Sequence, residues 1–165
     1  MKLSRNRTIA LGIVLVVALD WLSKFWVQDR IRLHDVHTVV DQWLWLNHRR
    51  NPGIAFSWFR DLPAGVRIPV LAGAALLGIF VAGRILLSTR DAWLRVAAGL
   101  VIAGALGNLG DRLWNGAVTD FIQLRYFPFI FNVADVAITV GAVLLLAKLA
   151  LTPEPAEGAP TPTPS

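Results

Sequence analysis

The chain has 165 residues, of which 55% are apolar and 10% are aromatic, and its mean hydropathy is +0.55. This composition is too apolar for a soluble domain of that length and predicts a single membrane-embedded domain. The formal charge of +5 does not indicate nucleic-acid binding, because the cations lie beside apolar runs and form no basic stripe with spaced aromatic residues. The lack of cysteine excludes disulfides, thiol nucleophiles and thiolate metal sites.

Four apolar stretches are long enough to cross a bilayer, and they predict an all-α membrane protein with four transmembrane helices. The spans are placed at residues 8–27, 66–87, 93–109 and 133–151, all within one domain of residues 1–151. The first span lacks a small-x-small cleavage site and is interpreted as a retained anchor. The tail, 152–165, is rich in proline and is expected to be a disordered cytoplasmic segment.

Basic residues next to the first span and around the middle turn predict that both termini are cytoplasmic. The first long loop also contains several arginines, so this orientation depends on the charge density near the first helix. That loop, residues 28–65, contains two β-branched and aromatic stretches, 38–47 and 54–59, with Asn-Pro-Gly turn chemistry between them. The pattern predicts a small β-hairpin on the periplasmic side.

Three tryptophans of the first loop suit the lipid headgroup region, either as plain anchors or as part of a platform for a substrate. They are Trp43, Trp45 and Trp58. The second outer connection, 110–132, alternates apolar residues with Asp120. This alternation predicts an extended periplasmic segment with a carboxylate on its apolar face.

Polar residues inside the predicted spans indicate partners or chemistry, because burying them in a membrane is costly. Asp20 and Lys24 are spaced i, i+4 on one helix face and can neutralise each other, either as a structural pair or with a direct functional role. In the third span, Gly104 and Gly107 allow close helix packing. Arg112 could hold a carboxylate or a phosphate-like headgroup, or it could extend to the membrane interface.

Two aspartates flank the segment that precedes the fourth span. Asn132 is a suitable N-cap for that helix, and Asp135 at the third helical position complements the helix dipole. Asp120 has no such structural role, and an acid on an apolar face must be protonated or find a partner. If the two carboxylates meet, one can take a proton from water while the other polarises a substrate carbonyl. This chemistry requires no cofactor, metal or covalent intermediate.

Other kinds of site have weaker support. His34, His37 and His48 all lie in the first loop without a convincing third ligand arrangement for a metal. A small transporter would use the buried charged groups as a polar path, but these groups lie towards one face of the membrane. A non-catalytic assembly factor, whose polar residues only hold helices together, is a further alternative.

Four blocks of motif residues occur in a fixed order along the chain. They are Asp20 with Lys24, "NPGIAFS" at 51–57, "GNLGDR" at 107–112 leading into "GAVTDFI" at 116–122, and "FNVAD" at 131–135. In order and spacing they resemble the bacterial lipoprotein signal peptidases, also called signal peptidase II, over nearly the whole chain before the tail. One departure is Ala103-Gly104-Ala105, where the family commonly has two glycines and an alanine, and it concerns helix packing.

The resemblance implies an aspartic endopeptidase that removes the signal peptide of a prolipoprotein just before its diacylglyceryl-modified cysteine. It assigns the catalytic roles to Asp120 and Asp135. Supporting and substrate-binding roles are implied for eight further residues: Asp20, Lys24, Asn51, Gly53, Gly107, Asn108, Arg112 and Asn132. The enzyme is expected to be a multi-pass monomer of the bacterial inner membrane, with its active site near the periplasmic face and with prolipoproteins and membrane lipids as its partners.

Overall fold

The computed structural model describes residues 5–53 and 62–151, which form four long helices and a small antiparallel sheet. The helices are α1 (Arg5–Arg30), α2 (Ala64–Ser88), α3 (Ala92–Asn115) and α4 (Val133–Leu151), and the strands are β1 (Val36–Val40), β2 (Leu44–Asn51), β3 (Val118–Leu124) and β4 (Ile130–Phe131). All four helices are long and apolar enough to cross a membrane, which confirms the predicted fold class. The expected strand 54–59 with Trp58, and the tail 152–165, lie outside the described residues.

Helix α3 lies at the centre of the bundle. Half of its most apolar stretch is buried, compared with 11–17% for the other three helices. Small residues make this position possible: a Cβ on Gly104 would overlap the Ala134 carbonyl of α4, and a Cβ on Gly107 would lie 2.5 Å from Asp20 Oδ2 of α1. Because these glycines lack a side chain, the α4 backbone packs directly on Gly104, and the Asp20 carboxylate of α1 packs on Gly107.

Helix α3 is longer than the apolar stretch that predicted it. The second outer connection was expected to begin at residue 110, but the helix continues through Asn115 and ends at Gly116, whose φ of 71° is the left-handed conformation typical of a helix C-terminus. The additional turn contains Asp111 and Arg112, which lower the hydropathy of the sequence but are buried in the fold. Hydropathy alone therefore ends this helix too early.

The four strands lie in the order β1-β2-β3-β4, and all neighbours are antiparallel. The expected hairpin position was wrong, because the stretch 38–47 is not one strand but contains a tight turn. In that turn Trp43 N donates to the Val40 carbonyl at 3.0 Å, and Gln42 has a positive φ of 59°. The predicted turn at 48–53 is instead mostly strand β2, which pairs with β3 and places Arg49 opposite Asp120.

The sheet packs on the helix ends where α1 and α3 finish and α4 begins. Its buried contact with the bundle consists of Phe121 from β3 against Val27 and Ile31 at the end of α1. Val133 at the start of α4 packs on the same cluster. The apolar contact fixes β3 beside the N-terminus of α4, so residues of the sheet and of three helices meet at one end of the molecule.

We expect Gly104→Ala to lower the free energy of unfolding by about 1–3 kcal/mol, because the new methyl group would overlap the α4 backbone. Gly78→Ala is the matched control, since a Cβ at this α2 position meets nothing within 4 Å. Thermal unfolding of both variants in detergent micelles measures the difference. Equal stability of the two variants would contradict the close packing of α3 on α4.

Candidate functional site

The N-terminus of α4 is capped by three side-chain contacts. Asn132 Oδ1 accepts from the backbone N–H of Asp135 at 2.9 Å, and Asp135 Oδ2 accepts from the backbone N–H of Asn132 at 3.2 Å. This reciprocal pair is a capping box. The N–H of Ala134 donates to Asp20 Oδ1 of α1 at 2.9 Å. Two backbone N–H groups of the first turn, those of Ala134 and Asp135, thus have side-chain acceptors, and the Asp135 carboxylate is held at the positive end of the helix dipole.

Strand β3 brings the second acid to the same place. Asp120 is only 3% exposed, and its carboxyl oxygens accept hydrogen bonds from Asn132 Nδ2 at 2.6 Å and from Asn51 Nδ2 at 2.9 Å. Both aspartates are therefore bonded to Asn132, one through the side chain and one through the backbone. Burial, together with the negative charge of Asp135, raises the pKa of Asp120 to about 7.

The last turns of α3 supply an amide and a guanidinium. Asn108 Nδ2 donates to Asp135 Oδ1 at 2.8 Å, while Asn108 Oδ1 accepts from Lys24 Nζ at 3.0 Å. Arg112 donates to the Gly53 carbonyl at 2.9 Å, which ties the end of β2 to α3. Arg112 Nε is buried without a hydrogen-bond partner among the described residues.

Helix α1 contributes the buried ion pair that the sequence suggested. Lys24 Nζ lies 2.8 Å from Asp20 Oδ2, and both side chains are almost completely buried. Gly107 on α3 faces this pair, since a Cβ there would touch the Asp20 carboxylate. All ten residues of the expected site thus fall at one end of the bundle, connected directly or through one intermediate residue.

Four further polar residues belong to the same network. Asp111 accepts from the Thr119 backbone N–H at 2.6 Å and from Asn115 Nδ2 at 2.6 Å, and it lies 3.8 Å from Lys24 Nζ. Gln28 donates to Thr119 Oγ1 at 2.7 Å. These contacts connect α1, α3 and β3 beneath Asp120. Asp111 belongs to the "GNLGDR" block, but the sequence alone predicts no role for it. Gln28 follows Lys24 at the i, i+4 spacing, which is the signal that could have placed it on the same helix face.

Chemically, the site contains two adjacent carboxyl groups in different surroundings. Asp120 is buried on a strand, whereas Asp135 is half-buried at a helix N-terminus. Burial raises the pKa of Asp120, so the two carboxyl groups are not equivalent, and acid–base pairs use differences of this kind. The side chains that donate to these two carboxyl groups are the amides of Asn51, Asn108 and Asn132, which can hold the carboxylates but cannot replace them as proton acceptors.

A protein-family model described as "Signal peptidase (SPase) II" matches residues 12–151. Among curated relatives, a lipoprotein signal peptidase of Pseudomonas syringae pv. tomato is 38% identical over 138 residues, which cover 80% of this chain and 79% of the relative. The lipoprotein signal peptidase of Streptococcus pyogenes serotype M1 is 38% identical over 156 residues, which cover 88% of this chain and 94% of the relative.

Solved structures also match. One described as a bacterial membrane enzyme superimposes with a TM-score of 0.80 at 28% identity, covering 93% of this chain and 94% of the other. A second structure with the same description gives a TM-score of 0.78, also at 28% identity. The likeness extends over nearly the whole chain, so it includes the four helices, the sheet and the polar end of the bundle.

We expect the Asp120 carboxyl group to titrate with a midpoint near pH 7. The C=O band of the protonated carboxyl group can be followed by infrared difference spectroscopy. Loss of this band in Asp120→Asn would assign it to Asp120. Asp135→Asn should lower the midpoint, because removing a like charge favours the ionised form of Asp120. Asp29→Asn, at an exposed position of α1, is the control and should leave the midpoint unchanged. A midpoint near 4, or no response to Asp135→Asn, would refute the coupling.

Proposed function

Because this chain belongs to the signal peptidase II family, we propose that it cleaves prolipoproteins immediately before a diacylglyceryl-modified cysteine, with Asp120 and Asp135 as its catalytic pair. Family membership itself makes the chain a membrane-spanning peptidase that removes signal peptides from prolipoproteins. Family membership also argues against the two alternative functions, a small transporter and a non-catalytic assembly factor. The observation that carries the catalytic assignment is the shared hydrogen bonding of both carboxyl groups to Asn132.

In the proposed reaction, the ionised Asp135 takes a proton from a water molecule as its oxygen attacks the scissile carbonyl carbon. The protonated Asp120 donates its proton to the carbonyl oxygen, which gives a tetrahedral diol. Collapse of the diol re-forms the carbonyl and breaks the C–N bond: the protonated Asp135 gives its proton to the leaving amine, and the ionised Asp120 takes the proton of a diol hydroxyl, which restores both acids. The raised pKa of Asp120 supports its role as the acid, because a substantial fraction retains the proton at neutral pH.

The remaining motif residues would support this pair. Asn51, Asn108 and Asn132 donate to the two carboxyl groups and hold them in place. Arg112 holds the Gly53 carbonyl beside the site and would form part of its wall. Prolipoprotein substrates carry acyl chains, which could remain in the bilayer while the peptide enters from the side. We propose that the enzyme acts as a monomer, since residues of one chain complete the site.

We also propose that the enzyme lies in the bacterial inner membrane with both termini in the cytoplasm. The sheet and the two aspartates would then lie at the periplasmic face. The basic residues that follow the N-terminus and surround the α2–α3 connection support this orientation, because cytoplasmic loops favour Lys and Arg. Asp120 and Asp135 lie at the opposite end of the bundle from that connection.

The cleavage activity can be tested with purified enzyme and a synthetic diacylated prolipoprotein, with mass spectrometry of both products to locate the cut. We expect Asp120→Asn and Asp135→Asn each to reduce kcat by at least about 100-fold, because each removes one proton-transfer group. Asp29→Asn, on the exposed side of α1, should retain wild-type activity and serves as the control. Near-normal turnover by either site variant would rule out the catalytic pair.

The orientation can be tested by cysteine labelling, since the chain contains no cysteine of its own. A membrane-impermeant maleimide added to intact spheroplasts should label His37→Cys in β1 but not Thr89→Cys in the α2–α3 connection. Both variants should react after the membrane is permeabilised. If only Thr89→Cys is labelled in intact spheroplasts, the orientation is the opposite of the one proposed.

A further inference from the structure

Lys24 makes contacts that neutralisation of Asp20 does not explain. Its side chain is 3% exposed, and Nζ donates both to Asp20 Oδ2 at 2.8 Å and to Asn108 Oδ1 at 3.0 Å. Asp20, in turn, already accepts a hydrogen bond from the backbone N–H of Ala134. The ion pair accounts for one of the two short Lys24 contacts, while the other is directed to the amide that contacts Asp135.

The orientation of the Asn108 amide is determined by its neighbours. Asn108 Oδ1 accepts from Lys24 Nζ and, at 3.2 Å, from Asn132 Nδ2, so Asn108 Nδ2 faces Asp135 Oδ1. Lysine carries three donors and no acceptor. If the amide rotated by half a turn, its NH₂ group would face two donors and its oxygen would face a carboxylate. Lys24, at the shorter distance, and Asn132 together therefore disfavour the orientation that would place the amide oxygen against Asp135.

We propose that Lys24 is a positioning residue for the two aspartates: it helps to fix the Asn108 amide so that this amide donates to Asp135, and its positive charge acts on the Asp120 carboxyl group. This inference deepens the proposed function and depends on it for the kinetic part of its test. Lys24 touches neither aspartate of the pair and acts on them through Asn108 and through its field.

The charged groups around this path come from every element that packs on it. Lys24 is faced by Asp20 on α1 and, at 3.8 Å, by Asp111 on α3. Asp120 is faced by Asp135 on α4 and lies opposite Arg49 on β2. The guanidinium of Arg112 on α3 also lies within electrostatic range of both acids. Among these groups, Lys24 lowers the pKa of Asp120, while burial and Asp135 raise it.

The single variants Lys24→Met and Asp20→Asn should have opposite effects on the pH dependence of kcat/KM. The alkaline limb reports loss of the Asp120 proton. Lys24→Met removes a cation and should move this limb to higher pH by about half a unit or more. Asp20→Asn removes the negative charge that partly offsets the Lys24 charge, so the alkaline limb should move to lower pH. Lys148→Met, at the far end of α4, is the control and should move it in neither direction.

The double variant Asp20→Asn with Lys24→Met separates positioning from simple charge neutralisation. It removes both charges, so the limb should return close to that of the wild type. Turnover should nevertheless stay at least about 10-fold below wild type, because Asn108 Oδ1 has lost the closer of its two donors and keeps only Asn132 Nδ2. Thermal unfolding of the double variant should remain close to that of the wild type. Recovery of full kcat would show that Lys24 only neutralises Asp20, and would overturn the proposal.

The same proposal can be checked without turnover. The infrared titration of the Asp120 carboxyl group should follow the same order, with its midpoint raised in Lys24→Met and lowered in Asp20→Asn. This readout stays valid even if the wild-type enzyme fails to cleave prolipoproteins, so the two proposals fail separately. If Lys24→Met does not fold, the Asp20→Asn variant alone tests the proposal. A titration midpoint of Asp120 that moves to higher pH in this variant would overturn the inference.

Discussion

Asn132 is the residue on which the arrangement of the site depends. It is completely buried, and its side chain caps α4 with one amide atom while donating to Asp120 and Asn108 with the other. Few other side chains can do this, since the position needs an acceptor for the helix and a donor for the carboxyl groups at once. Because the capping box also binds Asp135, the same residue that starts the helix determines where the two acids meet.

Close helix packing is the second requirement, because the polar groups of α1, α3 and α4 bond directly to one another only if the backbones are near. Gly104 and Gly107 permit this approach on two faces of α3. The resulting contacts are short: Lys24 on α1 reaches Asn108 on α3, and Asp20 reaches the backbone of α4. In a bilayer such groups have no water to bond with, so each contact offsets a desolvation cost of a few kcal/mol.

Much of the fold could be predicted from the sequence, because four apolar stretches of membrane-spanning length are rarely found outside membrane proteins. The motif residues could also be grouped, since their order resembles that of a known family. The turn between β1 and β2 could not be predicted, because Gln42 takes a positive φ that is usually left to glycine or asparagine. The last turn of α3 was missed because Asp111 and Arg112 look like loop residues until their buried partners are known.

The two aspartates lie on different kinds of secondary structure, and this gives their carboxyl groups different surroundings. Asp120 lies on a strand whose neighbours Val118 and Phe121 are buried, so its carboxyl group is shielded from water and its pKa rises. Asp135 lies at the first turn of a helix, where the dipole and the backbone N–H of Asn132 stabilise a negative charge. One carboxyl group on a buried strand and one at a helix N-terminus therefore have different surroundings. The asymmetry follows from the fold itself, because Phe121 docks β3 against α1 beside the start of α4.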